Sequence, residues 1–267
     1  MRGPAASGLA LAFALLVSAS TASAGGDANG FGDKHQLIVS ADRLLPVIGY
    51  THASVSATDN GQEVSNAHSG ANVSLLFGSS LAVPASNLVD PHTLPRIAFD
   101  YTVIDRLTLG AALAFGVGFA GTQTAEAVAG GVKTTTKTDD PRSWVIGFTP
   151  RVGYVLPLGD HLAFWPRGGL GVYHASLHQD RTVANSDVET SVGDTLLSLD
   201  LDPQLVIVPY PHLFFTVGPV ANIPLTGTRS TDTTTTAGGA TRSVSVDNDI
   251  SVFRIGLSAS IGGWFNL

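Results

Sequence analysis

From Leu107 to Phe119 every second residue is apolar: Leu107, Leu109, Ala111, Leu113, Phe115, Val117 and Phe119, with Thr108, Gly110, Ala112, Ala114, Gly116 and Gly118 between them. Successive side chains of a strand face opposite sides, so this segment has one greasy face and one small, polar-tolerant face. If water lay outside a core, the faces between the apolar residues would carry Lys and Glu, and here they carry almost none. The pattern fits a strand with lipid outside, which places such a chain in a bacterial outer membrane.

The first residues read as an export signal. Arg2 supplies the positive end, Leu9 to Val17 a short apolar stretch, and Ala22-Ser23-Ala24 a small-residue cleavage site. The apolar stretch falls short of the roughly 20 residues that a membrane helix needs. The expected division is therefore a signal peptide over 1–24 and one barrel domain over 25–267.

Beyond the signal no stretch is long and apolar enough for a helical span, although 44% of the chain is hydrophobic and 13% is charged. Membrane residence must then use strands. The chain has no cysteine, which excludes disulfides, thiolate metal sites and cysteine catalysis. A formal charge of -7 argues against nucleic acid, which needs clustered Lys and Arg.

Short turns at 103–106, 158–161 and 210–212 each join two alternating runs and read as hairpins. Longer stretches rich in Thr, Ser, Gly and Asp, at about 120–142, 177–194 and 225–249, read as loops on the opposite rim. Short turns on one rim and long loops on the other are the asymmetry of an outer-membrane barrel, with the short turns periplasmic. Strands are expected near 36–50, 94–103, 107–119, 143–157, 162–175, 195–209, 213–224 and 250–265. The fold class is thus all-β, a transmembrane antiparallel up-and-down β-barrel of eight strands. Residues 51–94, where Val73, Leu75 and Phe77 alternate, leave a ten-strand barrel open. The first run breaks its own alternation at Leu44-Leu45, and Pro46 marks a bulge or a turn there.

The chain ends Trp264-Phe265-Asn266-Leu267. In hairpin order, loop asymmetry and this aromatic ending it resembles small outer-membrane β-barrels of the OmpA and OmpX type. The resemblance implies the barrel-assembly machinery as a partner during biogenesis; outer-membrane lipid as a partner and a monomeric state are further expectations for the chain. The resemblance carries architecture and not activity.

Assigning the apolar parity to lipid sends the other parity inward. Arg96, Asp100, Arg151, Arg167, Asp200, Asp202 and Arg254 then share one interior, with Asp42 a further carboxylate for the set and Gln204 beside it. Near balance of charge suggests mutual ion pairs in a space that eight strands can fill with side chains. Interior Gly147, Gly153, Gly169, Gly171 and Gly256 would leave room for the arginines. The expected function is a structural or surface-interacting barrel without enzymatic activity; a porin-like channel for small polar solutes is the alternative, the same arginines lining its lumen.

One constellation could carry chemistry. His174 and Ser176 fall on the lipid side of one strand, and Glu189 in the following stretch could orient the histidine. The pair resembles the His-x-Ser arrangement of outer-membrane lipid A 3-O-deacylases, with apolar Leu177 departing from that family's polar position. The remaining histidines show no spacing suited to zinc, and Gly168-Gly169-Leu170-Gly171 lies inside a strand rather than in a phosphate loop. No catalytic set, metal or cofactor is therefore assigned. Trp144, Phe164, Trp165, Tyr173, Tyr210, Phe214, Phe215, Trp264 and Phe265 fall near strand ends and are read as interfacial girdles.

Overall fold

A computed structural model describes residues 30–59, 62–73, 82–83, 88–89, 94–118, 122–129, 132–139, 142–183 and 186–267. The expected leader at 1–24 lies outside the described residues. Strands in chain order are β1 (Gln36–Asp59), β2 (Gln62–Val73), β3 (Ala82–Val83), β4 (Leu88–Val89), β5 (Arg96–Ile104), β6 (Leu107–Gly118), β7 (Thr122–Ala129) and β8 (Val132–Asp139). They continue as β9 (Arg142–Tyr154), β10 (Leu156–Gly159), β11 (Leu162–Val183), β12 (Ser186–Tyr210), β13 (Leu213–Ala237) and β14 (Ala240–Asn266).

Eight of these close a ring in the order β1-β5-β6-β9-β11-β12-β13-β14 and back to β1, every pairing antiparallel. Among the described residues β2 pairs with β1 and stays off the ring, and β3 pairs with β4 apart from it, so neither widens the barrel; Leu75 and Phe77 lie outside the described residues. β10 continues β9 past Val155 into the short turn before β11.

The alternation of the sequence becomes the wall. Ile97, Phe99, Leu109, Leu113, Phe115, Ile146, Phe148, Val152 and Ile255 are exposed on the outside, while Ala98, Asp100, Thr108, Ala112, Thr149 and Arg151 between them are buried within. An exposed belt of large apolar side chains around a closed barrel is the surface that hydrocarbon solvates.

The three short turns join β5 to β6, β10 to β11 and β12 to β13. On the other rim the expected loops are replaced by strand. β11 and β12 stay paired up to Val183 and Ser186, and β13 and β14 up to Ala237 and Ala240. The Thr, Ser and Val that fill these stretches favour extended backbone and pair well across strands, so the ladder continues rather than dissolving into loop. It ends at Gly238-Gly239, whose φ of 58° and 83° suit a two-residue hairpin turn that other residues enter at a cost. β7 and β8 form their own hairpin within the first of these stretches, 120–142. The wall is consequently low at β5, β6 and β9, of 9 to 13 residues, and tall at β11 to β14, of 22 to 27. A membrane crossing takes roughly 9–11 residues of strand, so the tall side stands well beyond the bilayer.

Candidate functional site

The barrel interior is built in three layers. At the short-turn rim Phe31, Trp165, Phe214 and Trp264 form an aromatic plug, each at most 2% exposed. Phe31 reaches it from the segment before β1: its ring lies edge-on to Trp165 and Trp264, 5.4 Å from each, and 5.0 Å from Phe214. The segment is tied down by Arg106 N–H donating to the Gly32 carbonyl at 2.7 Å and by Gly32 N–H donating to Gln36 Oε1 at 2.9 Å. Gly32 has a φ of 94°, and a Cβ there would meet the Val155 side chain at 2.8 Å, so this close approach requires glycine.

Trp165, Tyr173, Phe214 and Trp264 therefore correct the girdle reading, because their parity is inward. Trp144, Tyr210, Phe215 and Phe265 are exposed on the outside, and Phe164 is half-buried.

Above the plug lies a layer of charge. Arg151 donates through Nε and Nη2 to both oxygens of Asp100 (2.9 and 2.5 Å) and through Nη1 to Asp42. Arg167 also donates to Asp42, at 3.1 Å, and its guanidinium lies 4.5 Å from the Trp165 ring, joining this layer to the one below. Asp200 accepts from Arg96 (2.9 Å), Tyr173 (2.5 Å), Ser198 (2.7 Å) and Asn222 (2.5 Å). Four donors fill the lone-pair sites of one carboxylate, which leaves that group with no capacity for an outside ligand. Asp202 accepts from Arg43 at 2.7 Å, Gln204 accepts from Thr216 at 3.2 Å, and Arg254 is buried on β14 opposite Asn222.

The sequence reading lacked Arg43. In a regular strand Asp42 and Arg43 would face opposite ways, but β1 shifts register between Ala41 and Leu45, and Arg43 takes a φ of 57°. A bulge re-aims a side chain in this way. The broken alternation at Leu44-Leu45 was the available signal. Arg229 and Asp194 were missed as well. They form a two-pronged pair (2.7 and 2.8 Å) in stretches read as loops, and Arg229 turns inward because β13 shifts register between Asn222 and Thr228, beside Pro224.

Over the charges sits an apolar layer that includes Leu94, Val145, Tyr173, Leu196, Ile250 and Val252. The interior glycines make room for the tyrosine and for the arginines alike: a Cβ on Gly147 or Gly171 would run into the Tyr173 ring, one on Gly169 would lie 2.9 Å from Arg151 Cβ, and one on Gly153 would lie 2.6 Å from Trp165 Nε1 and 3.0 Å from Arg167 Cγ. Asp42, Arg96, Asp100, Asp200 and Arg254 are at most 2% exposed. A lumen that conducted solutes would wet these groups; here protein partners take the carboxylates and most of the guanidinium donors, while Arg43 Nε, Arg96 Nε and Nη2 and Arg167 Nε are buried without a hydrogen bond among the described residues.

On the outer face His174 Nδ1 lies 3.0 Å from Thr195 Oγ1, its direct cross-strand partner. Glu189 pairs with Asp180, four residues above Ser176 on β11, or about 13 Å along a strand. Glu189 is thus not brought to His174, and the three residues do not form a catalytic set. The carboxylate instead belongs to a different group. His178 Nε2 lies 3.2 Å from Asp180 Oδ1 and 3.7 Å from Glu189 Oε1, and its Nδ1 lies 2.9 Å from Ser191 Oγ. Sequence spacing hid this cluster because it depends on the register of β11 against β12.

No protein-family model and no curated protein matches the sequence. Among solved structures the fold is similar to the outer membrane protease OmpT from Escherichia coli (8% identity, 86% of this chain and 97% of that one, TM-score 0.38). It is also similar to Ail, the attachment invasion locus protein of Yersinia pestis (12% identity, 87% and 99%, TM-score 0.31), and to the toluene transporter TodX of P. putida (8% identity, 91% and 93%, TM-score 0.25). At these values the likenesses carry no functional information for this chain.

Proposed function

We propose that this chain is a bacterial outer-membrane β-barrel with a closed lumen, acting as a structural or surface-interacting protein through its tall strands. The observation that carries the reading is the three-layered interior: aromatic plug, buried ion-paired layer and apolar cap occupy the space a channel would need. The exposed apolar belt supports residence in lipid, and the short signal-like leader supports export. Loops and tall hairpins over a rigid scaffold are where binding concentrates, so the surface role is assigned to the rim opposite the short turns. The final strand, with Phe265 and Leu267 exposed at its end, is the segment offered to the barrel-assembly machinery. On the outer face Ser191 Oγ lies 2.9 Å from His178 Nδ1, with Asp180 and Glu189 at Nε2; this group is taken as a metal-binding cluster rather than as a nucleophile and base, and the barrel as a protein without catalytic activity.

Recording from planar bilayers tests the reading most directly. Purified protein is expected to insert without steady single-channel conductance, and to fractionate with outer membranes from expressing cells. A stable conductance abolished by neutralising Arg96 or Arg151 would establish the channel alternative instead.

A further inference from the structure

We propose that His178, Asp180 and Glu189 bind a divalent metal ion of zinc-like ligand preference on the outer face of the β11–β12 hairpin. The three residues come from two strands whose register is fixed. His178 lies opposite Ser191 and Asp180 opposite Glu189, so all four side chains share one face over two rungs of the ladder. The hairpin is held on both sides, by β9 at Arg142 and by β13 at Asp232 and Thr234, which limits its freedom to splay.

The donor set and its spacing suit such an ion. One imidazole nitrogen and two carboxylates are ligands that zinc and its neighbours in the first transition row share, whereas magnesium and calcium favour oxygen alone. Donor atoms about 2.1 Å from a tetrahedral ion lie about 3.4 Å apart. The imidazole nitrogen sits 3.2 and 3.7 Å from the two carboxylate oxygens, and the three donor atoms all lie within 4.8 Å of one another. Both carboxylate side chains are more than half exposed and can turn to close the remaining gap.

Ser191 contributes from behind the ligand. With Nδ1–H donated to the Ser191 hydroxyl, the lone pair of His178 is on Nε2 and points between the acids, the arrangement by which metal-binding histidines are oriented. The surrounding charge is negative: Asp187 and Asp232 share the outward parity, against Arg142 across from His178. Three protein ligands leave coordination positions open toward the medium. Without an ion the same atoms would make only an ion pair of imidazolium with two carboxylates, and binding separates the two cases.

The full mature chain, refolded in detergent without an affinity tag and stripped with chelator, is titrated with Zn2+ by calorimetry and with Co2+ by visible absorption. One saturable site per chain is expected, with a Co2+ spectrum of low coordination number. His178→Ala should abolish that spectrum, and Ser191→Ala should weaken binding about tenfold. His161→Ala, in a turn on the opposite rim, should leave it unchanged. Each variant is first checked for heat-modifiable migration, so loss of binding is not loss of fold. Absence of saturable binding, or equal affinity in His178→Ala, overturns the site and leaves the ion pair.

Discussion

Asp42 and Arg43 are consecutive in the chain, and both side chains enter the barrel: Asp42 receives Arg151 and Arg167, while Arg43 reaches across to Asp202, 2.7 Å away. The bulge that allows this puts two opposite charges at one height of the lumen. Each then serves different partners, and β1 is bound to β9, β11 and β12 through the interior.

Asp42→Asn should therefore be costly. It withdraws the charge from two buried guanidinium groups at once, and breaking one partner of a buried ion pair typically costs about 3–5 kcal/mol. Urea unfolding of the refolded protein in micelles is expected to show a loss of that order. Replacing Arg167 by Met as well removes one of the stranded charges, so the double variant should recover part of it. A single variant as stable as the parent would dismiss the layer as a stabilising element.

How far the sequence anticipates this interior depends on backbone regularity. Parity alone assigns Arg96, Asp100, Arg151, Asp200 and Arg254 a side, because their strands run without a register shift through those positions. It fails at Arg43 and Arg229, where a shift changes which face a residue takes, and one sequence does not state where extra residues are inserted. In the tall hairpins polarity mimics irregularity, which is why the sequence predicts loops there. Threonine-rich strand above a membrane is polar on both faces, having neither lipid nor core to meet. The aromatic plug was misread for a related reason: aromatic residues near strand ends suit the membrane interface and a barrel mouth equally, and only parity separates Trp264 within from Phe265 without.

Gly171 tests the packing of the same region. A Cβ there would stand 2.5 Å from the Tyr173 ring and 3.0 Å from Asp200 Oδ2, so Gly171→Ala must displace the tyrosine from the carboxylate it bonds. Overpacking of this kind costs about 1–3 kcal/mol. In a Tyr173→Leu background the alanine should cost much less, and the coupling energy from the four unfolding curves measures the contact. Strict additivity would contradict the geometry.

Phe31 separates stability from closure. Its removal should destabilise the barrel by about 3–5 kcal/mol, as for a buried phenylalanine elsewhere. Yet the charge layer above the plug stays intact, so Phe31→Ala is expected to remain non-conducting in planar bilayers. Steady current through this variant would assign the seal to the plug alone.

The upper part of the β13–β14 hairpin is supported only by its neighbours in the sheet, and Thr231 pairs directly with Val246. Its residues above that rung are mostly half or fully exposed, contributing little to the buried interior. Regions with few buried contacts open independently of the core. Replacing residues 232–245 by an Asn-Gly turn should close the hairpin at this rung, since two-residue loops of that type match strand twist. The shortened chain is expected to fold, to migrate as a compact barrel before boiling, and to retain the parent's midpoint in urea. Asp194 and Arg229 lie below the cut and should keep their pair, which fixes the top of the cooperative unit near that rung. A shortened chain that no longer folds would place that boundary higher and make the hairpin part of the barrel's own core.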